Sequence, residues 1–207
     1  MPRDSTATRI RLVEEAERLF AKDGIWQAAI NEIVTAAEQK NASALTYHFQ
    51  SRQGVLDYIL TEHGSLIDSK RGELLLGLSA ESSTHEILEA LVRPMVRHMA
   101  KRRGRHYIRI VAQLASQFPM WRDAEIGPEN QKLFRALDIL ERRPPHLAET
   151  IRRERLVAMM QLMTSSLAER ARQIDTGSTV ILNEADYTDN LTAMLTGVLE
   201  AQPTLST

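Results

Sequence analysis

Apolar residues recur at helical spacing along almost the whole chain, and no Val/Ile-rich alternating run is long enough to demand a strand. From residue 5 to 23 the pattern places Leu12, Ala16, Leu19 and Phe20 on one face, with Gly24 as the stop. The stretch from Asn31 to Leu56, NEIVTAAEQKNASALTYHFQSRQGVL, predicts two short helices joined by a tight turn, then a third that starts after Phe49. The first of these buries Ile33, Val34 and Ala37. After the polar break Glu38-Gln39-Lys40, the second opens at Asn41, whose side chain can cap free backbone N–H groups. Ala44, Leu45, His48 and Phe49 can bury one face, which leaves Ala42, Ser43, Thr46 and Tyr47 pointing elsewhere. A short helix with a small, hydroxyl-rich outer face, braced by a preceding helix, has the form of a helix-turn-helix and so predicts contact with DNA.

The remaining pattern is helical to the end. Gln50-Ser51 can cap a long helix through Val55, Leu56, Ile59, Leu60 and Leu66 towards Leu75, in which Gly64 and Gly72 each cost roughly 1 kcal/mol against alanine. Ser82-Ser83 cap a helix to about Arg103, and Glu86 stands where a capping box with Ser83 requires it. Gly104 reads as a break, Arg105 to Phe118 as a helix ended by Pro119, and Gly127-Pro128 as the start of another that stops at Pro144-Pro145. Helices near 146–174 and 184–200 follow, separated by the turn-like Asp175-Thr176-Gly177-Ser178. The Val180-Ile181-Leu182 run is too short to overturn this reading. The fold class is therefore all-α, with a three-helix head in residues 1–50 and a larger helical body in residues 51–207. A helix that begins in one part and ends in the other joins them, so a change of shape in the body can move the head.

The helix Arg11-Leu12-Val13-Glu14-Glu15-Ala16-Glu17-Arg18-Leu19-Phe20-Ala21-Lys22-Asp23-Gly24 is followed by Ile33 and Ala36-Ala37. Leu45-Thr46-Tyr47-His48-Phe49 and Ser51-Arg52-Gln53-Gly54-Val55-Leu56 close the series. In that combination, the N-terminal part of the chain resembles the DNA-binding domain of the tetracycline-repressor (TetR) family of bacterial transcriptional regulators. Three positions depart from the family pattern. Glu38 stands where the family usually has a turn glycine, so a positive φ would be costly and a differently built turn is expected. The interval from Ala37 to Phe49 is one residue longer than the common spacing and is similar to a subgroup with a Gly-Gln-Arg-Asn-type turn, here Glu38-Gln39-Lys40-Asn41. Ala28 replaces a threonine that in the family often touches phosphate. The resemblance implies a ligand-responsive regulator, a repressor before an activator, that binds a roughly palindromic DNA operator as a homodimer and is released by a small-molecule effector; with no targeting segment, the cytoplasm is the expected location. It places Lys40, Asn41, Ala42, Ser43, Thr46, Tyr47, His48 and Arg52 at the DNA, with Asn41 capping and Lys40, His48 and Arg52 on phosphates.

Charge sharpens the dimer expectation. Residues 1–60 hold Arg3, Arg9, Arg11, Arg18, Lys22, Lys40 and Arg52 against Asp4, Glu14, Glu15, Glu17, Asp23, Glu32, Glu38 and Asp57. Cations outnumbered by acids give one head modest affinity for a polyanion, and two heads on one site compensate. The amphipathic segments 147–174, with Ile151, Met159, Leu162, Met163, Leu167, Ala171 and Ile174, and 184–200, with Tyr187, Leu191, Met194, Leu195, Val198 and Leu199, can form a four-helix interface with their symmetry mates. The same faces could instead close the monomer's own core.

Met95, His98, Met99, Tyr107, Val111, Leu114, Phe118, Trp121, Phe134, Met159 and Met163 are candidate linings of an effector pocket, though side chains of this kind at helical spacing also serve as ordinary core. The basic runs Lys101-Arg102-Arg103-Gly104-Arg105 and Arg152-Arg153-Glu154-Arg155 read as solvated helix ends and faces. The histidines lack ligand spacing, so no metal site is expected, and nothing implies a cofactor. Without cysteine, a phosphate-cradling Gly-rich loop, a Gly-x-Ser-x-Gly elbow or a His-Glu-x-x-His motif, enzyme chemistry has no support. No apolar run is long enough to span a membrane. A helical interaction protein that has lost DNA binding is the alternative, and repression and activation are not separable by sequence.

Overall fold

A computed structural model describes residues 5–41, 43–79, 81–115 and 130–202, which form α1 (Ser5–Asp23), α2 (Ile30–Ala36), α3 (Ala44–Phe49), α4 (Arg52–Leu75), α5 (Thr84–His98), α6 (Arg102–Leu114), α7 (Gln131–Glu141), α8 (Glu149–Asp175) and α9 (Glu184–Glu200). No strand occurs among the described residues, so the fold is all-α. Leu12, Leu19, Phe20, Ile33, Leu45, Leu56 and Ile59 fill the interior of the N-terminal helices, and the cluster continues without a gap into Leu91, Ile108, Leu137, Met159, Leu167 and Leu195. The most extensive helix pairs are α6 with α8, α5 with α9 and α1 with α6. The body thus touches the head along α1 as well as through α4.

Local chemistry explains the boundaries. Ser51 accepts from Gly54 N at 3.0 Å and starts α4. Ser83 and Glu86 form the expected capping box at the start of α5. Asn41 does not open α3 directly: its Oδ1 accepts from Ser43 N at 2.9 Å, an Asx turn that sets up a helix beginning at Ala44. The α2–α3 turn corrects the expectation of a different build. Glu38 has φ 56, with Glu38 N donating to Thr35 O and Gln39 N to Val34 O, the paired bonds of a Schellman ending. The chain keeps the glycine-type geometry with a glutamate in it. A Glu38→Gly substitution should therefore raise stability by about 0.5–1 kcal/mol in chemical denaturation, because the left-handed strain exceeds the exposed Arg11–Glu38 ion pair that is lost.

Gly104 corrects another boundary. It lies inside α6, and α5 ends five residues earlier than the sequence suggested. A Cβ on Gly104 would stand 1.9 Å from the His98 carbonyl oxygen, so glycine permits α6 to start against the end of α5. The basic run Lys101 to Arg105 consequently opens a helix, where cations oppose the macrodipole, and it is held by carboxylates. Arg103 reaches Glu17 and Glu62, and Arg105 reaches Asp175 and the Met99 carbonyl. The second run is also more than a solvated face. Arg152 donates to the Glu141 and Leu147 carbonyls, Arg153 pairs with Glu141 and Glu149, and Arg155 donates to Leu199 O at the end of α9. The helix expected over 105–118 is described to Leu114, and the residues on either side of Gly127-Pro128 lie outside the described residues.

Candidate DNA-reading head and body cavity

α3 presents the face that the pattern requires. Leu45 and Phe49 are buried, Ser43 and Thr46 are exposed, and Tyr47 is 81% exposed with its ring edge-on to His48 at 5.0 Å. α2 braces α3 through Ile33 and Val34, but its N-cap is Ala29, with no side chain to satisfy the free amides, and Ala28 is buried. Lys40 is exposed beside α3. Ala42 and Arg3 lie outside the described residues.

Several cations are engaged inside the head. Arg9 stacks over Tyr58 at 4.5 Å and Phe49 at 5.4 Å, and Arg11 pairs with Glu38 at 3.3 Å. Arg52 donates from Nη1 to Ile25 O at 2.5 Å, which ties the start of α4 to the α1–α2 loop. The same residue, Ile25, donates its N–H to Gln113 Oε1 on α6, while Gln113 Nε2 donates to Phe20 O, each at 2.8 Å. One body side chain thereby closes the C-terminus of α1.

A second link lies deeper. Glu17 of α1, fully buried, accepts two bonds from Arg103 of α6 at 2.7 and 2.8 Å and one from His63 Nε2 of α4 at 2.9 Å. His63 Nδ1 meets His98 Nε2 at 2.6 Å, and the His63 ring stacks on Tyr107 at 4.8 Å. Burial pushes the Glu17 carboxyl up, but the Arg103 and His63 hydrogen bonds outweigh it and hold it below the usual carboxylate range. Burial, reinforced by His63 and Lys101, pushes His98 down to about 4. The unfolded chain takes up this proton near 6.5, before the folded protein does, so ν_U exceeds ν_N between the two values and stability rises with pH. Stability should be intact above about pH 6.5 and fall by roughly 2 kcal/mol, discounted for the partly exposed ring, as pH drops towards 4. His98→Gln should flatten that slope in denaturation curves taken across the window.

The sequence pattern points to His98 only as a candidate pocket lining, and it does not single out Glu17, His63 or Gln113 or give Arg103 a partner. One signal was present: Glu17 occupies the apolar face of α1, four residues after Val13 and three before Phe20. A charge in a core position asks for a buried partner. No cluster of metal-ligating side chains occurs among the described residues.

The body holds a partly open cavity of about 180 Å³ between α4, α5, α6, α7 and α8. Met95, Tyr107, Val111, Leu114 and Met163, all candidates from sequence, line it, together with Leu60, Gly64, Ile67, Arg71, Asn130, Leu133, Met160 and Thr164. Met99 and Met159 are buried in the core, His98 belongs to the polar network, and Phe134 stands on α7 outside this lining. Phe118 and Trp121 lie outside the described residues. A larger open groove of about 680 Å³ runs between Leu75, Leu78, Ile87 and Ile139, with Asp138 and Arg142 of the α7 end paired with each other along one side.

The family model of the tetracyclin repressor-like C-terminal domain matches residues 89–199, more than half of the chain and all in the body, whereas the motifs noted above lie in the head. No curated protein is matched. Among solved structures, a transcriptional regulator from Rhodococcus sp. Rha1 is 14% identical, with 92% of this chain and 95% of that one covered and a TM-score of 0.54. A second, the probable transcriptional regulatory protein RHA5900, is 16% identical over 94% of this chain and 100% of that one, with a TM-score of 0.56. At such identity these likenesses establish the fold, and the family rests on the match over the body. The chain belongs to the tetracycline-repressor (TetR) family of transcriptional regulators.

Proposed function

We propose that the chain is a cytoplasmic, homodimeric, ligand-responsive repressor, with a DNA-reading head in residues 1–50 and an effector-binding and dimerising body in residues 51–207. The observation that carries this reading is the outer face of α3, where Ser43, Thr46 and Tyr47 stand exposed on a helix braced by α2. Ser43, Thr46 and Tyr47 read the major groove of a roughly palindromic operator, with Lys40 and His48 at phosphates and Asn41 fixing the start of the helix. Arg52 acts mainly as a tie to Ile25 and contacts phosphate with its remaining N–H groups.

Dimerisation uses the outward faces of α8 and α9. Met159, Met163, Leu167, Ala171, Leu191, Leu195 and Leu199 are buried within the monomer, which leaves Met194 exposed and Leu162 and Val198 half-buried to meet a second copy. The effector occupies the cavity behind α4. Because α6 holds α1 through Gln113 and Arg103, a ligand that shifts α4 or α6 changes the separation of two heads in a dimer. Tyr47→Ala tests the assignment of the reading helix: operator affinity should fall tenfold or more, with helical content and dimer mass unchanged. Normal DNA binding by that variant would show that α3 does not read the operator. A helical interaction module without DNA binding is the second reading, favoured by the engagement of Arg9, Arg11 and Arg52 within the head.

A further inference from the structure

The wall of the 180 Å³ cavity holds a charge that the apolar lining does not explain. Arg71 of α4 is 3% exposed, and its Nε is buried without a hydrogen-bond partner. A guanidinium stays cationic in proteins and presents its N–H groups in a fixed fork. Its one ion pair among the described residues is Nη1 with Asp68 Oδ1 at 2.8 Å. Asp68 does not belong to Arg71 alone: Oδ1 also accepts from Leu133 N and Oδ2 from Lys132 N, each at 2.9 Å, at the start of α7. One carboxylate therefore faces both a guanidinium and the positive end of a helix. Among the described residues the positive side of that balance is in excess, and Arg71 lines a cavity walled by Met95, Val111, Met160 and Met163.

We propose that this cavity binds a small monocarboxylic acid, its carboxylate on the Arg71 Nε–H and its apolar body among the methionines. The proposal rests on the reading of the cavity as the effector site and specifies the effector's chemical class. Size sets the scale, since an apolar cavity of about 150 Å³ accommodates benzene. Polarity sets the class, because a charge-assisted bond to an otherwise unsatisfied buried donor discriminates strongly against a ligand lacking the charge. A neutral ligand of the same shape leaves the excess positive charge uncompensated.

Benzoate and its neutral isostere benzamide are suitable probes for the full-length protein. Calorimetric titration should show benzoate binding about tenfold tighter than benzamide or better. In protein labelled with 15N-arginine, the Nε–H resonance assigned by its disappearance in Arg71→Lys should move on adding benzoate. Arg71→Lys keeps a cation for Asp68, so the fold is retained, yet it lacks the directed Nε–H and should narrow the preference for benzoate. Equal affinity for the two probes, an unmoved Arg71 resonance, or no binding of either at millimolar concentration overturns the proposal. Release of a selected operator duplex is measured separately. Benzoate bound at Arg71 without any change in DNA affinity would leave the anion site standing and remove its role as an effector site.

Discussion

Glu17→Ala is expected to destabilise the protein by about 3 kcal/mol, read as a lower midpoint in urea at pH 7. Glu17 is the single acceptor on which Arg103 of α6 and His63 of α4 converge, and it has no contact with solvent. Removing it leaves His63 buried opposite Arg103 with no anion between them. The cost falls at the low end of the range for breaking a buried pair, because the Arg103 side chain is 35% exposed and can turn to Glu62 or to water. The double variant Glu17→Met, Arg103→Met removes both charges and should recover more than half of the loss. A single variant as stable as the wild type would show that the Glu17 network adds nothing net to the hold of the body on α1.

Gly54→Ala should weaken operator binding tenfold or more while the helices of the body stay formed. A Cβ at Gly54 would lie 2.0 Å from the carbonyl oxygen of Phe49 and 3.1 Å from its carbon, so the obstacle is backbone and not a side chain that can turn aside. Either the first turn of α4 unwinds or the end of α3 moves, and both displace the exposed face that carries Thr46 and Tyr47. Overpacking of this kind costs about 1–3 kcal/mol. Gly72→Ala, on the same helix, is the control. Its added carbon would meet only the Lys132 side chain at 3.4 Å, so neither DNA affinity nor stability should fall. Titration of a labelled operator duplex with the two variants separates the local effect from a general loss of helix.

Much of this architecture is legible in the sequence because it follows from periodicity and capping. The helix 5–23, the capping box at Ser83 and Glu86, and the buried and exposed faces of α3 each come from residues a few positions apart. What could not be read depends on partners in other elements. Gly104 looks like a helix breaker until α5 is seen to pass within contact distance of it. Arg103 and Arg152 look like solvated charge until a carboxylate or a helix end arrives from another element. Of the candidate site, the exposure of Ser43, Thr46 and Tyr47 follows from local spacing. The engagement of Arg52 with Ile25 and of Asp68 with the start of α7 does not. The turn at Glu38 shows a third case, in which the paired hydrogen bonds that end α2 hold a left-handed backbone that the residue itself disfavours.

The central claim is that α3 reads DNA as one of two heads, and selection from a random duplex library by the purified protein at near-physiological salt tests it most directly. The account predicts enrichment of a roughly palindromic site, its half-sites set by the separation of two copies of α3, with no enrichment by Tyr47→Ala. A folded dimer that enriches no sequence, or a Tyr47→Ala variant that enriches the same one, would contradict it.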